Sequence, residues 1–315
     1  MATKVGVTHR EVKPDDAGQR IDNYLLRELK GVPRARIYSM LRKGEVRING
    51  SRVRPTRRLT AGDRVRVPPV VVKAPTAAPS AARSERLQSL KSRILHADTS
   101  ILVLNKPAGW AVHGGSGVSL GIIEALRLIY PDEPLELVHR LDRETSGCLV
   151  IARKRSALRQ AQAAMRERRV GKRYLAIVHG DWPESVEAVE LPLRREQDSS
   201  GQRIVRVHHE GKLARTEVSI ARRLQGATLL DAYPTTGRTH QIRVHLASRG
   251  YPIIGDTRYG ERSVNRRYAE LGIKRLCLHA RSIRLPLEGW TLDVEAPVPD
   301  QLQSACELLS PDARS

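Results

Sequence analysis

The residues best suited to chemistry lie in one short stretch, His139-Arg140-Leu141-Asp142-Arg143-Glu144-Thr145-Ser146-Gly147. Asp142 stands between two arginines, and the apolar run Cys148-Leu149-Val150-Ile151-Ala152 that follows predicts a buried strand. A carboxylate on a polar loop at the mouth of such a strand suits catalysis because the strand fixes the loop. Adjacent guanidinium groups favour its ionised form, so Asp142 is a candidate nucleophile or base. The alternative is a salt-bridged loop that only shapes a turn.

This stretch resembles the signature of the RluA-type pseudouridine synthases, in which His-Arg-Leu-Asp is followed by two variable residues and Thr-Ser-Gly. Other segments resemble further blocks of that family, in the family's order: Asn105-Lys106-Pro107 with Gly109, Lys172-Arg173-Tyr174, Thr236-Gly237-Arg238-Thr239-His240-Gln241-Ile242-Arg243-Val244-His245, and Leu278-His279-Ala280. The N-terminal part resembles an S4 RNA-binding domain. The resemblance implies the pseudouridine synthase fold, an intramolecular isomerase activity, and large-subunit ribosomal RNA or its assembly intermediates as the partner.

Converting uridine to pseudouridine breaks the N1–C1′ bond, turns the base and joins C5 to C1′. This reaction needs no redox step, metal or phosphate donor, so we expect no cofactor and no metal. One carboxylate can carry it as a nucleophile or a base, with the site stabilising the developing charge. The resemblance implies that Asp142 is this residue. Attack on the sugar, attack on the base and abstraction of the 2′ proton all remain open.

The target uridine must be flipped out of folded RNA, which costs a few kcal/mol that stacking and phosphate contacts must recover. The resemblance implies that Tyr174 is the active-site tyrosine and Arg243 the basic partner of the catalytic carboxylate. It also gives Leu278 as an apolar contact under the target base. Arg140 could fill the space left by the flipped base or position the target nucleotide. The alternatives are an ordinary strand tyrosine, a surface arginine and a core leucine.

Three further basic residues are candidates for contacts with RNA phosphates: Lys172 and Arg173, expected on a strand edge, and Arg238. The run His113-Gly114-Gly115-Ser116-Gly117 could approach phosphate or base closely, although a simple glycine turn is its default interpretation.

Two other kinds of site are disfavoured by spacing. A triad of Ser146, His139 and Asp142 would come from one short stretch, whereas triads are usually assembled from distant segments. The spacing between His240 and His245 would not place the two side chains on one helix face, which argues against a metal site.

The composition calls for a polyanionic partner, because the 315 residues carry a formal net charge of +21 and a pI near 10.6. Binding to an anionic membrane would need a basic amphipathic helix or a lipidation signal, and neither is found. No signal peptide or run of transmembrane length is recognised. The three cysteines, Cys148, Cys277 and Cys306, are read as free thiols. We therefore expect a cytoplasmic protein, and we expect it to be a monomer.

Three regions are predicted along the chain. Residues 18–69 form a small α+β S4-like domain, residues 70–92 form a flexible linker rich in Pro, Ala and Ser, and residues 93–305 form the catalytic domain. The first domain is so one-sidedly basic that a phosphate-binding surface is preferred over a merely solvated face. Its candidate RNA-binding residues are Arg34, Arg36, Arg42, Lys43 and Arg47.

The predicted fold class is α+β, with a mixed, mostly antiparallel sheet and flanking helices in the catalytic domain. In the small domain, helical spacing runs from Ile21 to Leu29, a second helix covers residues 36–43, and Asn49-Gly50 predicts a hairpin turn. In the catalytic domain, Thr239 is expected to cap a helix that contains Arg243.

Two functions compete with an isomerase of large-subunit ribosomal RNA. One is the same isomerisation on another RNA, such as a different ribosomal site or tRNA. The other is a non-catalytic RNA-binding factor in ribosome assembly, which would not need Asp142, Tyr174 and Arg243 together. A glycoside hydrolase is excluded because no second carboxylate stands in a comparable block.

Overall fold

The computed structural model describes residues 2–29, 31–73, 81–114, 120–198 and 201–311. The chain divides into two compact units, Met1–Arg86 and Leu87–Ser315. Each unit has its own cluster or clusters of buried apolar side chains.

The first unit is a small sheet packed on two helices. Its elements, in chain order, are β1 (Ala2–Val5), β2 (Thr8–Glu11), α1 (Ile21–Glu28), α2 (Arg34–Arg42), β3 (Arg47–Ile48), β4 (Ser51–Arg52), β5 (Arg64–Val67) and β6 (Val70–Lys73). An antiparallel sheet has the order β2-β5-β3-β4, and β1 pairs with β6. Ile21 and Leu25 of α1 and Ile37 of α2 are fully buried against Val65 of β5. The two helices predicted from apolar spacing are therefore present.

The hairpin predicted at Asn49-Gly50 joins β3 to β4. Both residues have positive φ, 49° and 82°, which is the conformation that this dipeptide adopts in a two-residue hairpin turn. Asn49 also accepts a hydrogen bond from the Arg64 backbone N–H at 2.8 Å, so its side chain ties the turn to β5.

The segment predicted as a flexible linker, residues 70–92, contains regular structure at both ends. Strand β6 occupies its beginning, helix α3 (Ala81–Lys91) occupies its end, and residues 74–80 lie outside the described residues. Leu90 of α3 is fully buried in the second unit with Leu102 and Leu104. The Pro, Ala and Ser composition obscured the spacing of Leu87 and Leu90, which places both leucines on one helix face.

The first unit also begins earlier than the predicted boundary at residue 18, because β2 pairs along the whole length of β5.

The second unit is built on one large sheet with helices on both faces. Its strands are β7 (Ile94–Ala97), β8 (Ile101–Lys106), β9 (Glu136–Leu137), β10 (Ser146–Ala152), β11 (Gly171–His179), β12 (Ala188–Glu190), β13 (Leu193–Gln197), β14 (Arg203–Val207), β15 (Arg215–Leu224), β16 (Ala227–Pro234), β17 (Leu278–Leu287) and β18 (Trp290–Glu295). Its helices after α3 are α4 (Ile122–Ile129), α5 (Arg155–Arg166), α6 (Gln241–Ser248), α7 (Arg262–Glu270) and α8 (Asp300–Leu308).

The large sheet has the order β12-β15-β16-β11-β17-β10-β8-β7, with β18 beside β17 and β9 beside β10. Strands β10 and β17 pair in parallel, and the other neighbours pair antiparallel. The predicted mixed, mostly antiparallel sheet is thus confirmed. A separate hairpin is formed by β13 and β14.

Helices cover both faces of the sheet because its central strands are apolar on both sides. In β8, Ile101 and Val103 face the cluster that contains α5, whereas Leu102 and Leu104 face the cluster that contains α4. Successive side chains of a strand point to opposite faces, so a continuous apolar run requires cover on both. None of the helices in the described ranges is both long and apolar enough to cross a membrane.

Gly147 permits the parallel approach of β10 and β17. Its φ is 108°, and a Cβ at this position would lie 2.2 Å from the carbonyl oxygen of Ala280. Ser146 pairs with His279 and Gly147 with Ala280 at this crossing. A side chain at position 147 would therefore force apart the two strands that carry the candidate site.

Candidate active site

Asp142 lies on the loop between β9 and β10, and its neighbours are tied to the segment that follows β8. The Arg143 backbone carbonyl accepts hydrogen bonds from the Gly109 N–H at 2.9 Å and from Lys106 Nζ at 2.8 Å. In return, Arg143 Nε donates to the Gly109 carbonyl at 2.9 Å. Because the residue after Asp142 is held at both its backbone and its side chain, the carboxylate has a fixed position above the sheet.

Lys106 is the buried anchor of this loop. Its side chain is fully buried, and its Nζ donates to the carbonyl oxygens of Pro107 at 2.9 Å, Trp110 at 2.8 Å and Arg143 at 2.8 Å. Burial lowers the pKa of Lys106 to about 7, although nearby carboxylates act in the opposite direction. The three carbonyls use all the donors of one ammonium group, so this lysine is structural in its geometry.

Arg243 connects Asp142 to a second, buried carboxylate. Its Nη1 lies 3.1 Å from Asp142 Oδ2, while its Nε and Nη2 each lie 2.8 Å from an oxygen of Asp256. Asp256 is 1% exposed and also accepts hydrogen bonds from the backbone N–H groups of Arg258 and Tyr259. This bidentate pair fixes the plane of the guanidinium and aims its remaining nitrogen at Asp142.

The electrostatics of this group favour the charged forms of Asp256 and Arg243. Burial alone would raise the pKa of Asp256, but the hydrogen bonds and charge of Arg243 and the two backbone N–H groups lower it overall. Burial would likewise lower the pKa of Arg243, but Asp256 and Asp142 raise it. Asp142 is the more accessible carboxylate, with 27% of its side chain exposed.

His240 approaches the other oxygen of Asp142. Its Nε2 lies 3.7 Å from Asp142 Oδ1, and burial lowers its pKa against the charge of Asp142. Its Nδ1 is 2.7 Å from Tyr259 Oη, which accepts the Val205 backbone N–H at 3.1 Å. The tyrosine hydroxyl keeps a proton that it can donate to Nδ1, and in that arrangement the neutral imidazole carries its own proton on Nε2, facing Asp142.

The helix that carries Arg243 does not begin as predicted. It starts at Gln241, and His240 occupies the N-cap position in a left-handed conformation with φ 53°. Thr239 makes no capping hydrogen bond and instead contacts Arg195. The buried Gln241 accepts hydrogen bonds from Thr236 Oγ1 at 2.6 Å and the Arg238 N–H at 3.0 Å, and so folds the preceding loop. The amide of Gln241 thus organises the loop before the helix, and no side chain caps the first turn at His240.

A cavity of about 870 Å³ opens around Asp142. Its volume falls within the range of pockets that enclose small ligands. It is lined by most of the residues predicted for the site, namely Arg140, Asp142, Lys172, Tyr174, Arg238, Arg243 and Leu278. These residues come from the loop before β10, from β11, from β17, and from α6 with the loop before it. The tertiary structure thus brings distant segments to one place.

Tyr174 and Leu278 supply the apolar part of the cavity wall. Tyr174 lies on β11 beside β17, where it packs against the apolar clusters of both halves of the sheet. Burial raises the pKa of its hydroxyl, with a smaller contribution from the charge of Asp142. Leu278, the first residue of β17, is 3% exposed and lines the cavity as well.

The two basic residues before Tyr174 have different surroundings. Lys172 lines the cavity, its Nζ lies 3.4 Å from the Thr236 carbonyl, and burial lowers its pKa to about 8. Arg173 forms a two-pronged ion pair with Asp231 at 2.6 and 3.0 Å and is not part of the cavity lining. The expectation of a strand edge is wrong, because β11 lies between β16 and β17.

The basic residues predicted in the first unit are mostly on its surface. Arg42, Lys43 and Arg47 are exposed, whereas Arg36 is paired with Glu45 at 2.7 Å between Nη2 and Oε2. Arg34 starts α2, and its side chain lies outside the described part of the chain.

The glycine loop is described only in part. His113 borders the cavity, and the Gly114 N–H donates to Glu124 Oε2 at 2.9 Å. Residues 115–119 lie outside the described residues.

The residues considered for a triad point elsewhere. His139 Nε2 accepts the Val150 backbone N–H at 3.1 Å, and Ser146 Oγ lies 2.9 Å from His279 Nδ1 and 2.8 Å from Arg275 Nη2. The buried Ser146 thus bonds to His279 and not to His139.

The two histidines considered for a metal are also separately engaged. His245 is fully buried between Thr216 Oγ1 and the Leu191 carbonyl, while His240 faces Asp142. Among the described residues, one cluster has side chains of the metal-ligating type, namely His208, His209 and Glu210.

Four residues of this arrangement were not assigned a role from the sequence: Lys106, His240, Asp256 and Tyr259. Asp256 could have been noticed because it lies close to an apolar segment, Ile253-Ile254. Asp142 likewise lies close to an apolar segment, the strand that follows it. His240 and Lys106 stand inside the blocks that carried the resemblance, but no spacing rule indicates where their side chains point. Tyr259 has no local pattern that distinguishes it.

Family models match both units of the chain. The model described as RNA pseudouridylate synthase matches residues 100–248, and the S4 domain model matches residues 19–65.

Curated relatives match nearly the whole length. The chain is 51% identical over 295 residues to the ribosomal large subunit pseudouridine synthase C of Pasteurella multocida (strain Pm70), covering 93% of this chain and 90% of the relative. It is 48% identical over 303 residues to the protein of the same name in Escherichia coli (strain K12), covering 95% of each.

Solved structures match the fold. Human RNA Pseudouridylate Synthase Domain Containing 4 superposes with a TM-score of 0.61 and 29% identity, covering 72% of this chain and 97% of that one. Human RNA Pseudouridylate Synthase Domain Containing 1 superposes with a TM-score of 0.59 and 26% identity, covering 73% and 90% respectively.

Proposed function

The chain belongs to the RNA pseudouridylate synthase family, and on that premise we propose that it isomerises specific uridines of large-subunit ribosomal RNA to pseudouridine. The relatives in Pasteurella multocida and Escherichia coli are named for the ribosomal large subunit. The observation that carries the proposal for the site is the arrangement of Asp142, Arg243 and Asp256 in a basic cavity. Asp142 is accessible and is held by Arg243, which Asp256 holds in turn. This arrangement suits a reaction that needs one carboxylate.

We assign the chemistry to Asp142. In the reaction the N1–C1′ bond breaks, the C5–C1′ bond forms, C5 loses its proton and N1 ends with one. Attack of the carboxylate on the sugar, its attack on the base, and removal of the 2′ proton all require an ionised carboxylate in a fixed position. Arg243 holds Oδ2 at 3.1 Å, so Oδ1 is the oxygen available for the reaction.

His240 is the neighbour of that free oxygen. A separation of 3.7 Å between Nε2 and Oδ1 is too long for a good hydrogen bond and leaves Oδ1 able to react. A neutral Nε2–H at this position can donate to charge that develops on the carboxylate or on the departing base. Tyr259 acts through His240, because its hydroxyl fixes which nitrogen carries the proton.

The cavity can hold a flipped nucleotide. Tyr174 offers an aromatic ring and Leu278 an apolar side chain, which are the contacts that recover the cost of unstacking a base. Arg140 is exposed at the cavity, where it can fill the place of the flipped base or position the target. Lys172 and Arg238 supply positive charge for phosphates on the same surface.

The first unit is proposed to add affinity for RNA without taking part in the chemistry. Its exposed Arg42, Lys43 and Arg47 have the charge that binds backbone phosphates, as expected of an S4 domain. Arg36 contributes less, because Glu45 already neutralises it. We assign the boundary between RNA-binding and catalytic parts to the segment before α3, since α3 packs into the second unit.

Three further properties belong to the proposal. The enzyme acts without an organic cofactor or a metal, because the isomerisation is internally balanced in atoms and electrons. We also propose that it acts as a monomer. It works in the cytoplasm, where large-subunit ribosomal RNA is assembled.

The main competing function is a non-catalytic RNA-binding factor of ribosome assembly. Such a factor needs a basic surface, but it gains nothing from a buried Asp256–Arg243 pair aimed at an accessible carboxylate. Burying two charges costs free energy that binding alone does not recover. The second competing function is the same isomerisation on another RNA. Identifying the RNA that is modified distinguishes it from the proposed function.

The deciding experiment maps pseudouridines in ribosomal RNA from cells with and without this protein. We expect specific positions in the large-subunit RNA to lose pseudouridine when the protein is absent and to regain it with the parent sequence. A change confined to tRNA would instead assign the same chemistry to another RNA. No change anywhere would contradict the proposed function.

The matched variant is Asp142→Asn, expressed in the cells that lack the protein. The amide keeps the shape of the side chain but can act neither as nucleophile nor as base, so we expect no modification and near-normal RNA affinity. Purified Asp142→Asn protein with full activity would disprove the assignment of Asp142.

A further inference from the structure

The end of α5 and the turn that joins it to β11 bring two more arginines to the cavity, Arg166 and Arg168. Both side chains are exposed. Their neighbour Arg169 is paired with Glu167, with 2.7 Å between Nη2 and Oε2. Within the described part of the chain, neither Arg166 nor Arg168 takes part in an ion pair. The turn therefore presents two guanidinium groups whose charge no carboxylate neutralises.

The backbone of Arg168 is unfavourable for an arginine. Its φ is 58°, in the left-handed region. The Arg168 N–H donates to the Met165 carbonyl at 3.3 Å, and the Arg169 N–H donates to the Ala164 carbonyl at 2.9 Å. These two bonds end α5 in a Schellman motif, whose left-handed residue is usually glycine because a Cβ is strained there. Glycine would serve the fold better, so the benefit of this arginine lies outside the fold.

The cavity that these arginines face carries little negative charge. Asp142 is the one carboxylate among its described lining residues, and it shares the charge of Arg243 with the buried Asp256. Lys172 and Arg195 line other parts of the same cavity. Cations that outnumber the carboxylates of a cavity repel one another, and a bound phosphate relieves this repulsion.

We propose that the turn after α5 is a phosphate-binding site, in which Arg166 and Arg168 hold the backbone of the substrate RNA beside the flipped uridine. The proposal rests on the proposed function, because it takes the occupant of the cavity to be a nucleotide of that RNA. The two guanidinium groups bind nonbridging phosphate oxygens and read no base. Their contacts recover part of the free energy spent on flipping the nucleotide.

The test is Arg168→Gly, made in the full chain. We expect a thermal midpoint equal to or above that of the parent, because glycine accepts the left-handed backbone. We also expect RNA affinity to fall several-fold and the slope of log affinity against log salt to become shallower by about 0.7–0.9 for one lost phosphate contact. Binding is measured in an Asp142→Asn background, so that no turnover disturbs it.

Arg166→Gln supplies a second variant that leaves the turn unchanged, and Arg266→Ala supplies a matched control from the exposed face of α7. The proposal expects Arg166→Gln to lose affinity and salt slope, and Arg266→Ala to keep both. Parent-like affinity and slope in Arg168→Gly and Arg166→Gln would overturn it. A lower thermal midpoint for Arg168→Gly would contradict the inference that Arg168 strains the backbone. The RNA affinity and salt slope of Arg166→Gln would then be the test of the phosphate contact.

The contacted phosphate can be located with RNA in which one phosphate at a time is replaced by an uncharged methylphosphonate. At one position beside the target, the replacement should weaken binding to the parent and leave binding to Arg168→Gly unchanged. Equal losses for both proteins at every position would contradict the site. Failure of the proposed function is recognised separately, since the parent would then form no pseudouridine on the RNA that it binds.

Discussion

At the scale of single residues, the site depends on how one carboxylate is held. Arg243 contacts Asp142 with one nitrogen and Asp256 with two, so most of its binding capacity is spent on positioning itself. A planar guanidinium is suited to this because its donors have fixed directions, whereas the single nitrogen of a lysine could not make the two-pronged pair with Asp256. Asp256 is therefore a positioning residue for the carboxylate to which we assign the chemistry.

The first prediction separates the structural and catalytic parts of this arrangement. Arg243→Leu leaves Asp256 as a buried, unpaired carboxylate, so we expect a loss of about 3–5 kcal/mol in the free energy of unfolding as well as of activity. The double variant Arg243→Leu with Asp256→Leu removes both charges and should recover most of the stability but none of the rate. Urea unfolding and single-turnover rates at saturating RNA measure the two effects. A normal rate in the double variant would leave Arg243 with a purely structural role.

The second prediction concerns Lys172, whose pKa is lowered to about 8 by burial. Free Lys172 loses its proton as the pH rises through this value, whereas a phosphate would keep it protonated in the complex. Binding RNA above pH 8 must then take up a proton, so affinity should decline with pH, by at most about tenfold per pH unit. Below pH 8 the contribution of Lys172 should be constant.

Affinity measured from pH 7 to 9 tests this expectation. The affinity of Lys172→Arg should change less with pH than that of the parent, because arginine keeps its charge throughout. Lys172→Met should bind RNA more weakly, with an equally small dependence on pH. Uridine itself begins to lose a proton at the upper end of this pH range. The three proteins are therefore compared on the same RNA. Identical pH profiles for parent and Lys172→Arg would exclude Lys172 from phosphate binding.

At the scale of elements, the site is a junction of strand ends and loops above the middle of the sheet. Strands β10 and β17 approach in parallel only where Gly147 leaves room, and this crossing sets the start of β10 directly after the Asp142 loop. Helix α6 brings Arg243 from the other half of the sheet, and Gln241 folds the loop ahead of it. The same continuous apolar strands that require helices on both faces also make the sheet a rigid base for these loops.

The third prediction concerns Lys106, which ties the Asp142 loop to the segment after β8. Lys106→Met keeps the length of the side chain but removes its hydrogen bonds to three carbonyl groups, of which the Arg143 carbonyl keeps the Gly109 N–H. We expect a loss of about 1–3 kcal/mol in the free energy of unfolding. We also expect kcat to fall more than KM rises, because the loop loses its fixed position. Lys154→Met, at the exposed start of α5, is the control. Unchanged kcat with reduced stability would mean that the loop keeps its geometry without this anchor.

At the scale of the whole molecule, the chain combines a small basic unit with a larger unit that contains every residue of the cavity. The two units have separate apolar cores, so each has the means to fold by itself. Phosphate contacts in the first unit would add affinity that depends on salt and not on the target base.

The fourth prediction compares the full chain with a protein that begins at Ala81, which keeps the whole of α3 and its buried Leu90. We expect the shortened protein to fold, to modify a permissive RNA, and to bind it more weakly. Losing the phosphate contacts assigned to Arg42, Lys43 and Arg47 should by itself reduce the salt slope by about 2–3.

The matched control keeps the full chain and replaces Arg42, Lys43 and Arg47 by Gln. It should lose a similar part of the salt slope without losing the unit. Equal slopes in all three proteins would mean that these residues form only a solvated face. A folded but inactive shortened protein would instead give the first unit a part in assembling the active site.

Much of this protein could be predicted from local sequence, because the relevant patterns are local. The helices of the small unit, the Asn49-Gly50 hairpin, the apolar strand after Asp142 and the mixed sheet all follow from spacing and turn chemistry. The basic blocks and the family resemblance indicated the reaction and the residues that line the cavity. Among those residues, Arg243 is the one that the structure places in contact with Asp142.

What depended on tertiary structure is every contact between residues that are far apart in the chain. Asp256 behind Arg243, Tyr259 behind His240 and Lys106 beneath the Asp142 loop could not be inferred, because a sequence pattern gives the face of an element but not its distant neighbour. The same limit explains the errors at Arg173 and α3. Packing between distant segments determines whether a charged side chain pairs with a carboxylate and whether a leucine is buried. This packing exists only in the folded chain.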